Sequence, residues 1–285
     1  MKRLILSAIL VTVVAAPART GEPLARRKAL TVAPFSFQDP SPDPPPGWRQ
    51  YHFKKTRKGT AYSLVADGGT TVLRAEAHGG GSLLFTFVDI DPVQYPIVRW
   101  RWKVLDLPER TDLHVKAGDD AAARVYVAFR HTPERITAFE RFKYNLVKAF
   151  TGHYPPYAAV CFLWARELPV GTVIRNAFVE RSIQVVVRSG KAGLGRWIQE
   201  EQEPARIFEE AMGFPPPPIS HVAVMTDTEN TGTNAAALFG DIEFLPAPPG
   251  IGAGPHGDRL PRPLDERGHG HGGRRDRSAC GTHRF

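Results

Sequence analysis

Seven consecutive residues, Val98-Arg-Trp-Arg-Trp-Lys-Val104, alternate without a break between large apolar and basic side chains. A helix, with its period of 3.6, would scatter these residues around its circumference. A strand has a period of two and sends the apolar set to one face and the basic set to the other. The same alternation returns at Val125, Val127 and Phe129 against Arg124, Tyr126 and Arg130. It returns again at Ile183, Val185 and Val187 against Ser182, Gln184 and Arg188, and at Ile242 and Phe244 against Asp241 and Glu243. Each pattern predicts a strand with one buried and one polar face. Further strands are expected near Tyr62–Ala66, Val72–Ala77, Leu83–Val88, Ala158–Trp164 and Val222–Thr226. About ten strands separated by Gly/Pro turns predict a mainly β fold, a two-sheet β-sandwich or jelly roll.

Two short covering helices interrupt the strands. From Thr137 to Phe150 the residues Phe139, Phe142, Leu146 and Phe150 recur at helical spacing, with Arg141, Lys143 and Lys148 between them. One apolar stripe needs only a core to meet, so a helix covering one end of the sandwich is expected, with a lid or membrane-surface helix as the alternative. The second helix is expected over Pro204–Met212, since proline suits a first helical turn and Gly213 an end.

The two ends of the chain differ from its middle. Lys2 and Arg3, an uncharged apolar run from Leu4 to Ala16 and the small-residue site Ala16-Pro-Ala18 read as a cleaved signal peptide over residues 1–18. That run is too short for a membrane span. Residues 19–33 form a polar lead-in and 34–246 the sandwich domain. Residues 247–285 are rich in Gly, Pro, Arg and His, a composition that predicts a disordered tail. The expected location is periplasmic or secreted, with no transmembrane span in the mature form. The formal charge is +8, but Lys2, Arg3 and a tail with seven arginines against four acids account for five of those charges. A body so weakly basic argues against a nucleic-acid partner. Export permits a disulfide between the two cysteines, Cys161 and Cys280. Because Cys161 falls inside an apolar strand pattern, a buried free thiol is the better reading.

Chemistry concentrates in two polar segments. Lys116, Asp119, Asp120 and Arg124 crowd the start of a strand, where a loop on a rigid sheet commonly carries function. Asp227-Thr-Glu-Asn-Thr-Gly-Thr-Asn234 offers hydroxyls, amides and two carboxylates between two late strands, with Gly232 free to take a positive φ. Neighbouring carboxylates could ligate Ca²⁺ or hold sugar hydroxyls, but the spacing is not that of an EF-hand loop, and no metal ligand set is fixed. The same charges could equally form a structural network. Trp164 and Trp197, near element ends, are candidates for stacking on a sugar ring, although large aromatics are more often core. The basic face of Arg99, Arg101 and Lys103 is expected to pair with nearby acids across strands. No G-x-S-x-G, Walker A or H-E-x-x-H pattern occurs, so no catalytic residue is assigned. A glycosidase pair would have to combine Asp119 or Asp120 with a partner from elsewhere, such as Asp227 or Glu229.

The runs Val98–Val104, Lys116-Ala-Gly-Asp-Asp120 with Arg124-Val-Tyr-Val127, Leu168-Pro-Val-Gly-Thr172, Val187-Arg-Ser-Gly190 and Val224–Gly232 with Gly240-Asp-Ile242 together resemble the bacterial domain-of-unknown-function family 3047. The resemblance covers roughly Phe35 to Leu245 and implies an exported β-sandwich of the galactose-binding or carbohydrate-binding kind. Fold alone does not imply function. The expected function is binding of a carbohydrate or other cell-envelope ligand, with no cofactor beyond Ca²⁺. Asp119, Asp120, Asp227 and Asn230 would give polar contacts, Lys116 and Arg124 charge balance, and Trp164 a stacking surface. A hydrolase acting on an envelope glycan and a structural envelope protein are the alternatives.

Overall fold

The computed structural model describes residues 28–53 and 58–247. The expected signal peptide, the tail and Cys280 lie outside these residues, as does most of the lead-in. Among the described residues, thirteen strands form two sheets. In chain order they are β1 (Leu30–Ala33), β2 (Arg49–His52), β3 (Ala61–Asp67), β4 (Thr70–His78), β5 (Gly81–Ile90), β6 (Ile97–Asp106) and β7 (Ala123–Phe129), then β8 (Ala158–Ala165), β9 (Val173–Arg175), β10 (Ser182–Ser189), β11 (Ile198–Gln202), β12 (Ile219–Asp227) and β13 (Asn234–Leu245). Every strand expected from the pattern is present. The four that were not expected, β1, β2, β9 and β11, are three to five residues long and lack an alternating apolar set.

One sheet runs β11-β6-β13-β4-β3, with β1 also paired to β13. The other runs β2-β5-β12-β7-β8-β10-β9, antiparallel except where β10 lies parallel to β8. The inward rows of the two sheets meet in one core. Trp100 and Trp102 of β6 stand 5.4 Å from the Phe162 ring and 6.1 Å from the Trp164 ring of β8, respectively. Val125 and Val127 of β7 and Val222 and Val224 of β12 join the same cluster. Two members of the basic row of β6 are paired with acids as expected, and the third, Arg101, lies over the Trp197 ring. Arg99 bonds Glu243 at 2.6 Å, and Lys103 bonds Asp67 at 2.6 Å.

The two helices fall where the pattern puts them. α1 (Ala138–Thr151) starts at a capping box between Thr137 and Glu140, and α2 (Pro204–Met212) ends at Gly213 in the left-handed conformation. α2 covers the core as expected, burying Ile207 and Phe208, whose ring lies 4.5 Å from Phe129. α1 corrects its expectation. Phe139, Phe142 and Leu146 are 65%, 66% and 49% exposed, so the stripe faces away from the sandwich. Tyr144, at another angle around the helix, makes the packing contact with the core cluster.

Candidate functional site

The face of β7 expected to be polar is covered. Arg124 is 1% exposed although it points away from the inter-sheet core. The register explains what surrounds it. Arg124 pairs with Met225 of β12 and Leu163 of β8, Met225 pairs with Leu83 of β5, and Leu163 with Val186 of β10. This row forms an apolar floor. Leu113, on the segment between β6 and β7, closes over part of it, with Cys161, Leu163, Ala165 and Val186 beneath. Cys161 is buried as a free thiol, and burial pushes it up to about 12.

A guanidinium in such a place must be paired, because an isolated buried charge is prohibitive. Arg124 donates from Nε to Asp227 Oδ1 at 3.0 Å, and from Nη2 to Asp119 Oδ1 at 2.9 Å and the Asp119 carbonyl at 3.0 Å. Asp119 also accepts from Gln184 Nε2 at 3.1 Å and Asn176 Nδ2 at 2.6 Å. Burial alone would raise its carboxyl; Arg124 and the two amides outweigh that and hold it below the usual range. Asp120 is engaged differently. Its Oδ1 accepts from the Asn230 amide side chain at 3.0 Å, and its Oδ2 from the Thr231 backbone at 2.7 Å. The two polar segments seen in the sequence therefore meet. The later one turns through Gly232 at φ 69°, as its composition requires.

Once these bonds are assigned, Asp227 and Glu229 still have acceptor capacity. Asp227 uses Oδ1 for Arg124 and the Ala121 N–H, the latter at 3.2 Å. Glu229 Oε2 is buried with no hydrogen-bond donor among the described residues. The Glu229 carboxylate lies directly against the Gly81 backbone, where a Cβ would overlap it. Burial, reinforced by neighbouring carboxylates, pushes Glu229 up to about 7 and raises Asp227 against the pull of Arg124. Two interacting carboxyls titrate as a unit. Near neutral pH the pair retains a proton shared between Asp227 and Glu229. Oxygens of Asp120, Asp227 and Glu229 lie within 4.8 Å of one another. This is a hard-oxygen donor set of the type Ca²⁺ takes, and the unpaired Glu229 oxygen fits it.

Above the floor lies a cavity of about 350 Å³. Its polar wall is Asp119, Arg124, Asn176, Asp227, Glu229 and Asn230, and its apolar wall includes Phe53, Leu83, Tyr126, Phe178 and Met225. The turn after β9 builds one side. Asn176 Oδ1 accepts from the backbones of Phe178 and Val179 at 2.9 Å each, while its Nδ2 holds Asp119. That Asx turn presents the half-exposed Phe178 ring at the cavity mouth.

Of the residues singled out in the sequence, Asp119, Arg124, Asp227 and Asn230 line this cavity together. Asp120 stands behind them, tying the Asn230–Thr231 backbone. Lys116 is exposed and does not balance Asp119 or Asp120; its Nζ lies 5.5 Å from the Phe178 ring. Trp164 is corrected outright. It is fully buried between the sheets and donates from Nε1 to the Gly190 carbonyl at 2.9 Å, so it offers no stacking face. Trp197 is occupied too, donating to Asp67 at 2.7 Å beneath the Arg101 guanidinium. Asn176, Phe178, Gln184 and Phe53 were missed. They come from segments remote in sequence and carry no motif.

The family described as protein of unknown function DUF3047 matches residues 46–243. Among curated proteins none matches the chain. Among solved structures, the K1 cleaved adhesin domain of Lys-gingipain from Porphyromonas gingivalis W83 is similar at 11% identity and TM-score 0.34, over 78% of this chain and all 100% of that one. A family 30 carbohydrate-binding module from a Clostridium thermocellum cellulosomal cellulase is similar at 12% identity and TM-score 0.35, over 76% and 98%. The enzymatically active domain of bacteriophage CBA120 tailspike protein 4 is similar at 7% identity and TM-score 0.36, over 70% of this chain and 19% of that one. At TM-scores this low the likenesses inform neither ligand nor activity.

Proposed function

The chain belongs to the DUF3047 family, and from its site we propose that it is a binding domain for a small polyhydroxylated ligand, a carbohydrate unit of the cell envelope, outside the cytoplasm. The observation that carries this is the cavity of about 350 Å³ with a half-exposed Phe178 ring on one side and free carboxylate acceptors of Asp227 and Glu229 on the other. A concave site with an apolar wall and a few convergent polar groups is the usual form of a small-molecule pocket. Sugar hydroxyls would donate to Asp227 and Glu229, while the ring's apolar face would lie on Phe178. Asp119, Asp120 and Arg124 hold the acceptors in place. Ca²⁺ at Asp120, Asp227 and Glu229 would offset the excess of carboxylate over guanidinium and could itself take two hydroxyls of the ligand.

A glycan array followed by calorimetry, each with and without Ca²⁺, tests this. Binding that is lost in Asp227→Asn and weakened in Phe178→Ala supports it; silence across the array in both conditions overturns it. One observation favours a second reading, a glycan hydrolase. Glu229, pushed up to about 7, keeps a proton into the neutral range next to the Asp227 carboxyl, as a general acid requires. In that case Glu229, rather than the fully bonded Asp119 or Asp120, would be the acid. Release of reducing sugar from envelope polysaccharide, abolished in Glu229→Gln, would separate it from simple binding.

A further inference from the structure

We propose that the outward face of α1 docks on an anionic lipid surface. The helix is attached to the body on one side, through Tyr144 against the core cluster and Glu140, which pairs with Arg181 at 2.7 Å. On the other side Phe139, Phe142 and Leu146 form a continuous ridge, with Val147 at its edge, all of them exposed. Two phenylalanines at 65% and 66% exposure on one helix face are costly in water, and no described residue covers them.

The chemistry around the ridge selects the occupant. Between residues 134 and 151 basic side chains outnumber acidic ones four to two; Lys143 stands beside the ridge, whereas Arg141 donates to the Pro133 carbonyl, Arg135 lies over the Phe214 ring and Lys148 over the Tyr154 ring. The Lys143 ammonium lies 4.3 Å from the Phe139 ring, so cation and aromatic form one surface. Apolar side chains that sink below the headgroups while lysines and arginines meet phosphate are how an amphipathic helix lies in a bilayer interface. No helix among the described residues is long and apolar enough to cross a membrane, so the contact would be peripheral. A second copy of the chain fits less well. The ridge offers roughly 400 Å² of apolar area, about half of what each partner contributes to a stable dimer.

The location adds a consequence. α1 and the turn after β9 flank a groove of about 490 Å³ lined by Lys143, Tyr144, Phe178 and Val179. Phe178 and Val179 also belong to the wall of the ligand cavity. Docking through α1 would bring that cavity mouth to the level of the headgroups.

Vesicle flotation of the full chain tests the inference, using phosphatidylcholine vesicles with and without phosphatidylglycerol. The expected result is flotation only with phosphatidylglycerol, reduced at high salt, and about tenfold weaker in Phe142→Ser. An unchanged melting temperature in Phe142→Ser shows that the loss is not unfolding. Lys143→Gln should weaken flotation without touching the apolar ridge. Absence of flotation with either vesicle overturns the proposal, as does flotation indifferent to Phe142→Ser. So does a solution dimer that Phe142→Ser dissociates, because the ridge would then be covered by a second copy.

Discussion

Replacing Glu229 by glutamine isolates the proton that the site retains. Burial is the main cause that lifts this carboxyl from its ordinary 4.5 to about 7. Between those two values the folded chain holds a proton that the unfolded chain has released. Stability therefore falls as pH rises from about 4.5 and levels off above about 7. The displacement corresponds to about 3 kcal/mol at full burial, and residual solvent access to Glu229 brings that down to about 2 kcal/mol. Glutamine has the shape of the protonated acid, cannot ionise, and can donate to the free Asp227 oxygen. Urea unfolding in chelator across pH 4.5 to 8 should show the variant and the parent alike at the acid end, and the variant about 2 kcal/mol more stable at the alkaline end. Parallel profiles, or a variant less stable at pH 8, would refute the upward shift of Glu229.

Ca²⁺ should raise the melting temperature at pH 8 by about 5 °C or more when it is well above its dissociation constant. It should do so much less at pH 5, where Glu229 is protonated, and not in Asp227→Asn; a thermal scan without any Ca²⁺ shift removes the cation from the site. Arg124→Met leaves Asp119 and Asp227 facing each other unpaired and should cost about 3–5 kcal/mol by denaturant titration. A cost under about 1 kcal/mol would mean that the carboxylates relax to solvent. Gly81→Ala places a Cβ into the Glu229 carboxylate and should cost about 1–3 kcal/mol. Most of that cost should disappear in the Glu229→Ala background, and a double-mutant cycle with no coupling would contradict the contact.

The fold was legible where one signal sufficed. Two-residue alternation placed β6, β7, β10 and β13, because each half-buried strand writes its own pattern. It did not say whether the polar face of β7 meets water. Alternation separates the two faces of a strand, but a polar face can still be buried when a loop closes over it with enough partners. Arg124 is such a case, covered beside Leu113 and bonded to Asp119 and Asp227. The α1 stripe failed in the opposite direction, since an apolar face at helical spacing says nothing of what it meets. At the site, the density of charge pointed to Asp119, Asp227 and Asn230, which the fold brings to one cavity. It could not mark Asn176 or Phe178, which act through a single turn, nor tell the bonded carboxylates of Asp119 and Asp120 from the less engaged ones of Asp227 and Glu229. That distinction depends on which donors the fold brings within reach. Trp164 illustrates the same limit, because a strand-end position is compatible with either face.

One feature of the first sheet bears on how the molecule comes into being. β13 lies between β6 and β4 and also receives β1, with Leu30 opposite Phe244, about 210 residues away along the chain. The last strand made is thus the one that the earlier strands β1, β4 and β6 await. Until it emerges, those strands have open edges and the inter-sheet core lacks Phe239, Ile242 and Phe244. Closure of such long loops is slow. Completion of this sheet therefore waits for β13. A truncation that removes only β13 would leave a partnerless sheet edge prone to pair with other chains, rather than a smaller version of the same domain.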